Sequence, residues 1–266
     1  MSSNSRQDQA DGLRRLISAN ATKHIAFLSA IPATQKNAVL NNLAAALVNK
    51  GSDVHLLDAS LNNQGISSIS DQPQGIYLSD STEPNSDFSQ FMFEQSRSIY
   101  FSKLSSSPIN SLKDQPSALE SLSQTLINIK PDINFCLVDV FLENDNPFLL
   151  PVLSNADIIV LTNITADSIK SAYLQIKALH AQLGRRPYHI LMVGSTPEQA
   201  TLIQNNMSQA AKLYLAVPLI SMGAIPQDDF ISRAAQMGKT VIDAFPTAVS
   251  AAVFRSIATK LVEANN

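Results

Sequence analysis

His24-Ile25-Ala26-Phe27-Leu28-Ser29, Ala30-Ile31-Pro32-Ala33-Thr34-Gln35-Lys36, then Asn37 to Lys50: the reading of this run decides the fold. Its first six residues form an apolar run of strand length. From Asn37 to Lys50, residues Val39, Leu40, Leu43, Ala44 and Leu47 recur with helical spacing, so Ser29 to Asn37 reads as the loop between a strand and a helix. Gly51 stands where a chain leaving a helix takes positive φ, and Val54-His55-Leu56-Leu57-Asp58 reads as the next strand. A βαβ unit opens the chain.

The same alternation continues downstream. Strands are predicted over Ser98 to Leu104, Phe135 to Val140, Asp157 to Thr162 and His189 to Val193. Helices are predicted over Leu119 to Ile129, Pro147 to Ser154, Ala166 to Leu183 and Pro197 to about Leu213. Strands this apolar, alternating with helices, predict an α/β fold that is doubly wound, with a mainly parallel sheet and helices on both faces. The stretch from Asn62 to Pro116 is rich in Ser, Asn, Gln and Asp, and Phe88, Phe91, Met92 and Phe93 cluster within it. It reads as loops around a short helix. Residues 1–20 form a leader, and 21–266 a single domain.

Composition narrows the function. The 266 residues are 45% hydrophobic and 15% charged, and no apolar run approaches the ~20 residues of a membrane span. The polar start, with Asp8 and Asp11, resembles neither a secretory signal nor a transit peptide, so the expected location is cytoplasmic. A single cysteine, Cys136, and four histidines without ligand-like spacing predict no metal centre. A formal net charge of −3 offers no broad attraction to nucleic acid, which is not an expected partner. Phe254, Ile257, Ala258 and Leu261 form one stripe with few nearby bases, which predicts core packing rather than a stable membrane anchor. Of the chain's eight glycines, none lies between 13 and 50.

In open α/β sheets the loop after the first strand is the usual anion site. Here Ser29 to Asn37 resembles the loop xKGGxGK[ST] of the MinD/ParA branch of P-loop ATPases. That resemblance places Lys36 on the phosphate-binding lysine, Ile31 on the branch's signature lysine, and Asn37 on the magnesium-binding hydroxyl residue. Pro32, Ala33 and Gln35 take glycine positions. It likewise places Asp58 on the first carboxylate after the second strand and Ser60 on the second, which in the family serves the attacking water. Asp139 falls on the Walker B aspartate and Gly194 on a base-contacting asparagine. Ala224-Ile225-Pro226-Gln227-Asp228 with Ile231 and Ala234 is similar to the family's G-x-I-P-x-D-x-x-[VL]-x-x-A segment.

A phosphate cradle needs amides converging at φ values that glycine takes cheaply, and Pro32 has no N–H at all. Lys36, Asn37, Asp58 and Asp139 therefore read as vestigial nucleotide-binding positions, with no catalytic residue and no cofactor expected beyond weak MgATP binding. The plain reading, preferred over weak nucleotide binding, makes Ser29 to Asn37 an ordinary βα connection and Lys36 a solvated lysine of the first helical turn.

Asp8-Gln9-Ala10-Asp11-Gly12-Leu13-Arg14 matches DQAxxLR, the amino-terminal motif of the FlhG family (also FleN or YlxH), MinD-like regulators of flagellar number and placement. The resemblance implies that Asp8, Gln9, Ala10, Leu13 and Arg14 bind the SRP-type GTPase FlhF and stimulate it. It also implies a surface for flagellar basal-body or regulatory proteins. The residues themselves allow this: Asp8 can cap a helix on which Ala10, Leu13 and Ile17 share a face. The expected function is a pseudo-ATPase scaffold. Its rivals are an active MinD/ParA ATPase with an aberrant loop and a MinD-like accessory of polysaccharide or pilus export.

Overall fold

The βαβ unit is formed by strand β1 (Lys23–Ser29), helix α1 (Ala33–Val48) and strand β2 (Asp53–Ala59). The computed structural model describes residues 22–60, 65–66, 77–78, 91–105, 116–127, 133–140, 142 and 154–265. Within them follow β3 (Phe93–Ser96), β4 (Ile99–Lys103), α2 (Pro116–Ile127), β5 (Ile133–Val140) and β6 (Asp157–Thr162). The chain continues through α3 (Ala166–Leu183), β7 (Tyr188–Val193), α4 (Pro197–Tyr214) and β8 (Leu219–Ile225). It closes with α5 (Asp229–Gln236), α6 (Val241–Ala244) and α7 (Val249–Glu263).

One eight-stranded sheet runs in the order β3-β4-β2-β5-β1-β6-β7-β8. Every pairing is parallel except β3 with β4. The predicted doubly wound, mainly parallel fold is what the chain adopts. Side chains alternate across the sheet, so each strand feeds two cores. Ile25 and Phe27 of β1 join Leu40, Leu43 and Leu47 of α1 and Phe254, Ile257 and Leu261 of α7 on one face. Ala26 and Leu28 join Leu126 of α2, Ile176 and Leu179 of α3 and Met207 of α4 on the other. The stripe on α7 is therefore core, as expected. No helix among the described residues is long and apolar enough to cross a membrane.

Helix ends follow local chemistry. Thr165 caps α3 by accepting from Ser168 N, and Thr196 and Gln199 form a reciprocal capping box at α4 with Pro197 in its first turn. Gly51, at φ +85°, supplies the positive φ expected after α1.

Three expectations need correction or limits. Helix α1 starts at Ala33, before Asn37, because Pro32 presets the entry to a helical turn and Lys36 N donates to Pro32 O at 3.0 Å. Of the aromatic cluster, Phe91 sits in a 3₁₀ turn and only Phe93 departs from the expectation: it begins an edge strand paired antiparallel with β4, Phe93 opposite Phe101, across a turn in which Ser98 takes φ +64°. Strand β8 lacked a signal because Ser221 and Gly223 interrupt its apolar pattern. Phe88 and Pro147 to Leu153 lie outside the described residues.

Candidate functional site

The strand order sets β5 between β2 and β1, which brings Asp58 and Asp139 level on adjacent strands. Both are fully buried, under the first turn of α1. Lys36 reaches down from that turn and donates to Asp139 Oδ1 at 2.7 Å and Oδ2 at 2.5 Å, with 7% of its surface exposed. It is a buried, ion-paired residue, not the solvated lysine of the plain reading: the long side chain of a first-turn residue facing the sheet has only the strand ends to meet.

Two residues after β2 complete the cluster. Ile66 N donates to Asp139 Oδ2 at 2.8 Å, and Asn37 Nδ2 donates to Gly65 O at 3.0 Å. Asp58 Oδ1 accepts from Ser60 N at 2.8 Å and from Ser60 Oγ at 2.5 Å. Gly65 lies directly on this pair, and a Cβ there would collide with Ser60 Oγ and both Asp58 carboxylate oxygens. Lys36, Asn37, Asp58 and Asp139 are thus brought together, with Ser60 beside them. Gly65 and Ile66 were missed. The signal that could have found them is an isolated glycine, followed by an aliphatic residue, in a polar stretch.

Burial pushes the Asp139 carboxyl up to about 6, against the Lys36 ammonium, which draws it down by charge and hydrogen bond; Asp58 raises it further and the Ile66 amide lowers it. The desolvation of a group closed in on every side outweighs one cation.

The residues present do not fit a magnesium-bound triphosphate. Ala33 to Lys36 are wound into helix rather than arched around an anion, and Ser29 Oγ holds the short connection by accepting from Ile31 N at 3.2 Å and donating to Ile31 O at 2.9 Å. Ile31, at the signature-lysine position, packs into the apolar core. Lys36 and Asp139, which would face phosphate and metal, hold each other. Among the described residues no group of three or more His, Cys, Asp or Glu could hold a metal ion.

Beside this closed cluster is a cavity of about 560 Å³, lined by Thr34, Gln35, Asn163, Gly194, Pro226 and Asp228 among others. Asp228 is the carboxylate of the I-P-x-D segment. It caps α5 by accepting from Phe230 N at 3.0 Å, and its other oxygen accepts from Ser250 Oγ at 2.6 Å and Ser250 N at 3.2 Å, tying α5 to α7. These hydrogen bonds hold its carboxyl below the usual range, in spite of the desolvation that acts against them. Asp228→Ala should cost about 1–2 kcal/mol of unfolding free energy, as other lost caps do, measured by urea denaturation.

A second buried polar cluster was also missed. His55 Nε2 and Ser102 Oγ share a hydrogen bond at 2.6 Å, and Cys136 Sγ lies 3.5 Å from His55 Nδ1. His24 stands beside Cys136 on the next strand. Burial drives His55 down to about 3, with His24 adding to the effect, and drives the Cys136 thiol up to about 12. Both groups are neutral at physiological pH and the thiol is inert.

The proposed partner-binding residues Asp8, Gln9, Ala10, Leu13 and Arg14 lie outside the described residues.

Comparison with known proteins places the chain. No protein-family model matches it. It is 22% identical over 227 residues to the antiactivator FleN of Pseudomonas aeruginosa, covering 85% of this chain and 81% of that one. It is 24% identical over 244 residues to an uncharacterised ATP-binding protein of Methanocaldococcus jannaschii, covering 90% and 88%. Among solved structures, MinD in its complex with MinC from Aquifex aeolicus superposes with TM-score 0.68 at 16% identity, covering 91% of this chain and 96% of that one. A ParA-family ATPase from Chlorobium tepidum gives TM-score 0.65 at 18% identity, covering 91% and 99%. The fold is that of the MinD/ParA proteins, and over most of its length the chain is similar to FleN.

Proposed function

We propose that this chain is a FlhG-like regulator of flagellar number and placement that acts in the cytoplasm as a binding scaffold without ATP turnover. The observation that carries the second half is the bond between Lys36 and Asp139: the two charges that would meet phosphate and metal neutralise each other in the core. The glycine-free turn and the serine at position 60, which cannot activate water as a carboxylate would, support the same reading. Similarity to a protein named an antiactivator supports a role exercised by binding other proteins.

The partner is an FlhF-type GTPase, engaged through Asp8, Gln9, Ala10, Leu13 and Arg14; other faces serve basal-body or regulatory proteins. A peptide of residues 1–20 should raise the GTPase rate of FlhF, and the Arg14→Ala peptide should not. An unchanged rate with active FlhF would remove the activator role. Isothermal titration of the whole chain with millimolar MgATP should give no heat of binding.

The rival is an ATPase with an aberrant loop. Similarity to a protein named ATP-binding, and the cavity next to α1, favour it. Micromolar binding with turnover would establish it.

A further inference from the structure

The cluster at the strand ends contains a peptide unit that bonds two of its side chains at once, the one joining Gly65 to Ile66. Its carbonyl oxygen accepts from Asn37 Nδ2 and its N–H donates to Asp139 Oδ2. One planar group thus presents an acceptor to the amide and a donor to the carboxylate, on the side chains placed to face metal and phosphate.

We propose that this peptide unit is a built-in ligand, which occupies the site in cis and keeps Lys36 and Asp139 locked together. The proposal rests on the scaffold reading above and deepens it.

Two further observations seat the group. The Ile66 side chain is 1% exposed and belongs to the same apolar cluster as Ile31, Val39 and Leu40, so the dipeptide is anchored from one side by burial. On the other side Gly65 rests on Asp58 and Ser60 at a distance that leaves no room for a Cβ. Only glycine at 65 and an apolar residue at 66 satisfy both. A buried carboxylate and ammonium need every remaining lone pair and proton occupied to offset their desolvation. The Ile66 amide fills one such place on Asp139.

The test is lysine acetylation by N-hydroxysulfosuccinimide acetate, read by peptide mass spectrometry alongside hydrogen exchange of the Ile66 amide. In the wild-type chain, Lys36 should react about tenfold or more slowly than the exposed Lys50 and Lys239, and the Ile66 amide should exchange at least ~100-fold more slowly than an open one. Gly65→Val, which forces the dipeptide off Asp58, and independently Ile66→Ser, which removes its anchor, should each raise both rates about tenfold while Lys50 labelling stays constant.

A freely exchanging Ile66 amide or a fast Lys36 in the wild type overturns the proposal, and needs no variant to fold. So does a folded variant with an open Ile66 amide in which Lys36 stays slow. Millimolar MgATP tests the scaffold reading separately. If it protects Lys36 only in Gly65→Val, both readings stand, the dipeptide being what keeps the nucleotide out. If it frees the Ile66 amide in the wild type, nucleotide displaces the dipeptide: the built-in ligand stands and the scaffold reading falls.

Discussion

Replacing Lys36 with methionine should lower the free energy of unfolding by about 3–5 kcal/mol at pH 8, because it leaves the buried Asp139 carboxylate without its cation. In a chain of this size that is a fall in Tm of about 2–4 °C for each kcal/mol. The loss should shrink toward pH 5. Asp139 in the folded chain already holds its proton more tightly than the unfolded value of 3.8, and without Lys36 it would hold it more tightly still. A carboxyl raised in this way contributes stability that is complete below the unfolded value and lost as pH rises through the folded one, so the variant suffers most in alkali.

Adding Asp139→Leu should restore most of the loss, since an apolar pair of similar volume replaces a buried ion pair at little or no cost. Urea titrations of the two single variants and the double variant at pH 5 and 8 complete the cycle. A cost below about 1 kcal/mol for Lys36→Met would mean that the ammonium sits in solvent and that the lysine is not a structural element.

The second large effect is acid sensitivity at His55. Its folded value, about 3, lies below the unfolded 6.5. Above pH 6.5 neither state is charged and the cluster is fully stable; as pH falls below 6.5 only the unfolded chain takes up the proton, so stability is lost. The loss is about 2 kcal/mol at pH 5 and about 4 kcal/mol at pH 3.5. The groups facing His55 are Ser102, Cys136 and, across the next strand, His24, whose own value is also lowered by burial.

Asp139 acts in the opposite sense between about pH 6 and 4, where the folded chain takes up the proton first. The wild-type stability curve should therefore flatten across that range and fall again below it. His55→Gln, which keeps a polar group toward Ser102, isolates the histidine. Its stability relative to wild type should rise by about 2 kcal/mol between pH 7 and pH 5, read from guanidinium midpoints. A pH-independent difference would show that the ring is protonated or open to water in the folded state.

The parts of the fold legible in the sequence are those decided locally. The limits of α3 and β6 were read as they stand, because Thr165 starts the helix and Asp157 to Thr162 is an unbroken apolar run after an acidic residue. The hairpin of β3 and β4 was not, because four residues carry no readable period and the turn rests on a serine with positive φ, a position that glycine or asparagine usually marks.

The candidate site divides the same way. Lys36, Asn37, Asp58 and Asp139 were singled out by their resemblance to the MinD/ParA loop and strand motifs. What they do to one another did not: Lys36 and Asp139 are 103 residues apart, and their meeting depends on β5 lying next to β1. His55 and Cys136 meet through register between β2 and β5, which one sequence does not encode in any local pattern. The role of Gly65 arises from the depth to which its own backbone sinks.

Lys23 opens β1 with a bridge of 3.2 Å to Asp157 and a hydrogen bond of 3.3 Å to the carbonyl of Ala264, which fastens the strand's first residue to the last helix. Thr22 therefore enters the domain at the rim opposite Asp58 and Asp139, the length of β1 away, or about 20 Å. A small molecule lodged beside α1 would approach from the pole opposite the point where the chain enters its first strand.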